Sequence, residues 1–160
     1  MKDDRKIEPE KINIVKLRAI KGSIDTTAAV KNEEGNYSFS FELEHAIKAE
    51  EKVVGLLLSV TIEAVDSDKM PIGVHAAFTH ELVFEIDNLD DFLDFSEGSS
   101  EPIIDRIMLG TLIGIAYSTI RGIIYTRTQA TSITGGILLP VIDPKKLISD
   151  NNNEKKDENS

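Results

Sequence analysis

A chain of 160 residues with an apolar fraction of 41% reads as one domain, long enough to bury a core without disulfide or metal staples. It contains no cysteine, which excludes disulfides and thiolate zinc sites and suits a reducing cytoplasm. Its formal net charge of −10 disfavours phosphate-backbone binding, so no nucleic-acid partner is expected, and favours solubility and basic or cationic partners.

Residues 1–10 are mostly charged, and no apolar run follows Met1 to Lys6, so they read as a disordered tail and not as a secretory signal. The folded domain is expected over 11–149. A weak apolar pattern from Ile12 to Val30 predicts one long strand with an interruption at Lys21-Gly22. Three strands with clean alternation follow. Tyr37, Phe39, Phe41 and Leu43 share one face of the first, and Val54, Leu56, Leu58, Val60, Ile62 and Ala64 one face of the second. In the third, Val74, Ala76, Phe78, His80, Leu82, Phe84 and Ile86 do the same. Such alternation belongs to antiparallel strands with one buried and one wet face.

Asn88 to Phe95 is an acidic amphipathic connector. A long helix is expected over Pro102–Gln129, with Ser99 or Ser100 as its cap and Pro102 in the first turn. The uncharged run Ile107 to Ile120 is shorter than the roughly 20 residues that span a bilayer, so no stable membrane insertion is expected. The helix carries more apolar surface than one stripe can hold. Gly110 and Gly114 form a small-xxx-small face that admits a second backbone. A four-stranded sheet covers one side only, and a second subunit is expected on the other. Gly110, Ile113, Gly114 and Tyr117 are the expected interface. The segment Ile133 to Ile142 (ITGGILLPVI) is apolar, glycine-hinged and extended. Two readings stand open for it: a last core element packed on the sheet, or the lining of an apolar groove. Asp143-Pro144 starts a short second helix, and 150–160 (DNNNEKKDENS), without an aliphatic residue, reads as a second disordered tail.

No catalytic site, metal site or cofactor is expected. His75 and His80 lie an odd number of residues apart on one strand and point to opposite faces, so they cannot share a metal. Each of His45, His75 and His80 reads as a satisfied or exposed structural residue. Asp87, Asp90, Asp91 and Asp94 lack the ligand spacing and central glycine of a calcium loop. No serine sits in GxSxG, and Gly135-Gly136 precedes an extended segment and not a helix, which is no phosphate cradle.

The succession Ile115 to Leu147 resembles the end of the SecB export-chaperone family, in which a long helix gives way to a crossover of the form LxP[VI]. Here that crossover reads Leu138-Leu139-Pro140-Val141. The resemblance implies an α+β fold: a four-stranded antiparallel sheet, a long C-terminal helix, an apolar crossover segment and a short second helix. It also implies a cytoplasmic homotetramer or dimer that holds unfolded preproteins without ATP and passes them to the SecA translocase motor. Ile137, Leu138, Leu139 and Val141, with Tyr125 on the helix side, would line the client groove. Glu81 and Glu85 would face the motor, although Ala77 stands where the family tends to carry an acid. A relative dedicated to one partner, such as an antitoxin, is an alternative. So is a helix-over-sheet domain that binds a lipid or another small molecule.

Overall fold

The computed structural model describes residues 5–26, 36–130 and 136–148. Strands β1 (Ile12–Thr26), β2 (Tyr37–Lys48), β3 (Val53–Val65) and β4 (Pro71–Ile86) form one antiparallel sheet in the order β1-β4-β3-β2. Register places residues of like polarity side by side across it. Phe41, Val60, Phe78 and Gly22 form one row of the inner face, and Leu43, Leu58, His80 and Ala19 the next. On β3 and β4 alternate residues are buried as the alternation of the sequence requires.

β1 is the strand with the weak pattern, and its pairing explains why. Register shifts between Ile14 and Lys16 and between Ala19 and Lys21 leave Val15 and Ile20 as bulge residues. Each extra residue resets the alternation, so that Ile14, Leu17, Ala19, Gly22 and Ile24 lie opposite buried residues of β4. The interruption expected at Lys21-Gly22 falls one residue earlier, at Ile20, and Lys21 and Gly22 pair regularly with Thr79 and Phe78. Residues 27–30 of the expected strand lie outside the described residues, as do 1–4 and the tail 150–160.

The tail expected over 1–10 is corrected for its second half. Arg5 pairs with Asp94 at 3.0 Å and with Asp105 at 3.2 Å, and a 3-10 turn, Pro9–Lys11, leads into β1. The guanidinium finds two carboxylates brought together by a small ribbon, β5 (Leu93–Phe95) against β6 (Pro102–Ile104).

That ribbon also corrects the start of the helix. Pro102–Ile104 is strand, and α1 runs Arg106–Gln129. Proline is as acceptable at a strand end as in a first helical turn. The cap is Asp105, whose Oδ1 accepts from the amides of Ile107 (2.8 Å) and Met108 (3.3 Å). The acidic connector folds as a 3-10 turn, Leu89–Phe92, which buries Leu89 and Phe92 and leaves Asp90 and Asp91 exposed.

α1 lies on the inner face of the sheet. Fully buried side chains fill the space between them, including Phe78, Phe84, Met108, Leu112 and Ile120. By length and composition α1 could cross a membrane, yet here it is the core helix of the domain. A short helix α2, residues 144–148, follows the crossover segment.

The expected subunit interface on α1 is occupied by the chain itself. A Cβ at Gly110 would lie 3.9 Å from Lys145 Cγ, and one at Gly114 3.5 Å from Pro144 Cγ. The Tyr117 ring meets Phe41 edge-on at 5.7 Å, and Ile113 is buried in the same core. The glycine pair signals a close backbone neighbour, and α2 is that neighbour.

Candidate functional site

The crossover segment is fastened to α1 by a row of side chains at helical spacing. Tyr117 donates from its hydroxyl to the Pro140 carbonyl at 2.6 Å, and Arg121 donates from Nε to the Leu139 carbonyl at 2.7 Å. Burial holds the Tyr117 phenol above its ordinary value of 10.0, with Arg121 pulling the other way, so the hydroxyl stays a donor. One residue before the end of α1, the buried Thr128 donates to the Ile124 carbonyl and accepts from the Ile137 amide at 2.7 Å. Gly136 makes this contact possible. Its φ is +74°, and a Cβ there would lie 2.6 Å from Gln129 Cγ and 3.1 Å from Tyr125 Cε2. At the far end Asp143 caps α2 through the Lys145 amide at 3.0 Å.

Held this way, the chain alternates from Ile137 to Pro140, and the alternation ends there, since Val141 shares the parity of Ile137 and Leu139 yet is exposed. Ile137 and Leu139 face inward and are buried, whereas Leu138 and Val141 are 54% and 85% exposed. The five residues expected to line a groove therefore divide. Ile137 and Leu139 belong to the core, because an extended segment lying on a helix must send alternate side chains into it. Leu138 and Val141 are open, and Tyr125 is half-buried beside Gly136. The core reading thus describes Ile137 and Leu139, and Leu138 and Val141 stand exposed outside that core.

Further apolar surface lies on β1. Among the described residues this strand pairs only with β4, and it exposes Ile14, Val15, Leu17 and Ile20. The open face of α1 carries Ile107, Ser118, Gly122 and Thr126 and no charge. Thr111, Thr119 and Thr126 turn their hydroxyls back to carbonyls four residues earlier, at 2.9–3.0 Å.

On the opposite face of the sheet, Glu81 forms ion pairs with Lys16 at 3.0 Å and Arg18 at 3.1 Å. The hydrogen bond from Lys16 holds its carboxyl below the usual glutamate range, against desolvation and with help from Arg18. Glu85 is exposed and makes no ion pair among the described residues. The acidic connector is met by cations, Asp94 by Arg5 and Asp90 by Lys52 at 3.8 Å.

His75 is exposed and lies 3.8 Å from Glu63, and His45 is exposed within β2, opposite Leu56 of β3. His80 departs from the expectation of a satisfied or exposed residue. It is 1% exposed, and neither ring nitrogen has a hydrogen-bond partner among the described residues. Its place on the apolar face of the strand was visible in the sequence; its lack of a partner was not.

Four antiparallel strands, a long helix on their inner face, a fastened crossover and a short closing helix together make a SecB-like α+β fold. Among solved structures the chain is similar to the SecB-like chaperone Rv1957 of Mycobacterium tuberculosis, determined with a ChAD peptide from the Rv1956 HigA1 antitoxin. The TM-score is 0.56 at 15% identity, over 84% of this chain and 92% of that one. A second structure, a protein of unknown function from Streptococcus agalactiae, aligns with a TM-score of 0.44 at 12% identity, over 81% of this chain and 97% of that one. No protein-family model matches the sequence, and no curated protein matches it.

Proposed function

We propose that this chain is an ATP-independent molecular chaperone, a holdase that binds unfolded polypeptide through apolar side chains of its crossover segment. The observation that carries the reading is the open pair Leu138 and Val141 on a backbone that side chains hold rigidly from behind. Apolar groups exposed on a fixed support capture extended apolar chains with little sequence selectivity. The charge of −10 adds a preference for basic clients. The SecB-like fold supports the reading, and the peptide held by the mycobacterial neighbour is a polypeptide client of the kind it requires.

The working form is a homo-oligomer in the cytoplasm. The support for this lies on β1 and on the open face of α1, in place of the glycine face already filled by α2. A long edge strand with exposed Ile14, Val15, Leu17 and Ile20 is a template for pairing and is normally covered. Contact with the SecA motor has less behind it, since Lys16 and Arg18 neutralise Glu81 and leave Glu85 as the open carboxylate of the expected pair.

The test is aggregation of a chemically unfolded protein diluted with and without this chain, in the absence of ATP. Two clients are compared: an export preprotein and an antitoxin. Suppression near stoichiometric amounts is expected for at least one, and which of them is protected separates a general from a dedicated chaperone. The double substitution Leu138→Asp with Val141→Asp should abolish it while the oligomer persists. Undiminished protection by that variant places the client site elsewhere.

A further inference from the structure

The buried His80 sits at the inner face of β4 between Ala19 of β1 and Leu58 of β3, with Phe78 and Leu82 before and after it on its own face. The charge that faces it comes from the last turn of α1. Arg127 lies across β1 at Gly22, where a Cβ would stand 2.6 Å from its guanidinium nitrogen and 3.6 Å from the ring of Phe78. The neighbouring residues on β1 (Leu17, Ala19, Gly22) and on β3 (Leu56, Leu58, Val60) bring no ionisable group to this face. The imidazole therefore has an arginine near it, no carboxylate facing it and no acceptor for a second ring proton among the described residues. An imidazolium there would be desolvated, unpaired and beside a like charge, three penalties that act in the same direction.

The position gives this penalty a particular outlet. Arg127 adjoins Thr128, whose hydroxyl holds the Ile137 amide, and Tyr125 and Gln129 pack on Gly136. The last turn of α1 thus brings its arginine to the sheet row next to His80 and also anchors the crossover segment. We propose that His80 is an acid-sensitive latch: its protonation lifts the last turn of α1 from the β1–β4 edge and releases the start of the crossover segment.

The sign follows from the direction of the shift. Burial first, and Arg127 second, hold the imidazole below its ordinary value of 6.5. The unfolded chain then binds a proton that the folded chain refuses, so stability is full above about 6.5 and is lost as pH falls through the lowered folded value. The latch is a property of the fold and does not require the chaperone reading.

The experiment is amide hydrogen exchange on the full chain at pH 7.5 and 5.5, corrected for the intrinsic pH dependence of exchange. His80→Phe, which fills the same space without a titrating group, is run alongside. In the native chain, protection over 124–130 and 137–141 should fall severalfold more than protection over β3 between the two conditions, with about tenfold as the ceiling that one imidazole of ordinary value 6.5 can supply. In His80→Phe this extra loss should vanish. An equal loss in both proteins, or a loss spread evenly over the sheet, overturns the latch. Should His80→Phe fail to fold, the NMR titration of the native imidazole decides alone. A midpoint well below 6.5 supports the proposal, and one at or above 6.5 refutes it.

Discussion

Leu139 and Leu138 are chemically identical neighbours whose truncation should have opposite consequences. Leu139 is wholly buried beneath its own carbonyl's bond to Arg121, and Leu138 is more than half exposed. Leu139→Ala removes a buried side chain and leaves a cavity, a change that costs about 2–5 kcal/mol in well-packed cores. Here α1 and the sheet are pinned against each other, which leaves little freedom to collapse, so a loss of about 3 kcal/mol is expected. Leu138→Ala should fall within about 0.5 kcal/mol of the parent. Urea unfolding at one fixed protein concentration reads the difference, because assembly would otherwise enter the midpoint. At this size 3 kcal/mol corresponds to roughly 6–12 °C in Tm. Equal effects from the two substitutions would show that the segment does not alternate as described, and the assignment of Leu138 to the open face would fall with it. Binding should rank the two the other way, with Leu138→Ala the more damaging to client capture.

Thr128→Val keeps shape and branching but leaves the buried Ile137 amide without an acceptor; a loss of about 1–3 kcal/mol in urea unfolding is expected, and Thr128→Ser should recover most of it. Gly136→Ala forces a side chain into a left-handed backbone and against Gln129 and Tyr125, and should destabilise by more than about 1 kcal/mol. Gly122→Ala, with open space around it in mid-helix, should instead stabilise an isolated subunit by about 0.5–1 kcal/mol, read as a rise in Tm at low protein concentration. Asp105→Ala removes the cap of α1 and one partner of Arg5, and should cost about 1–2 kcal/mol; Asp105→Asn, which can still cap, should cost less.

The sheet was readable wherever a strand alternates without interruption, as in β2, β3 and β4. β1 was only half readable, because two bulges shift its apolar residues by one position and the eye sees no period. The start of α1 was misplaced because Pro102 suits both a strand end and a helix start. Only the pairing of Leu93 with Ile104 decides between them, and that is a contact across the ribbon. The glycine pair at 110 and 114 announced a close neighbour correctly, but a spacing of four names no partner, and the neighbour was the chain's own α2. In the crossover segment the division into Ile137 and Leu139 against Leu138 and Val141 depends on the carbonyl bonds from Tyr117 and Arg121, which composition does not encode.

Those two bonds have a further consequence. Tyr117 and Arg121 grip carbonyl oxygens, which every amino acid possesses, and so the fastening is indifferent to which side chains the crossover carries outward. Position 138, and 141 just beyond the gripped carbonyls, can exchange one residue for another without loosening the loop that presents them. Selection can therefore retune what this surface recognises while the domain beneath it keeps its shape, which separates the inheritance of the scaffold from the inheritance of its specificity.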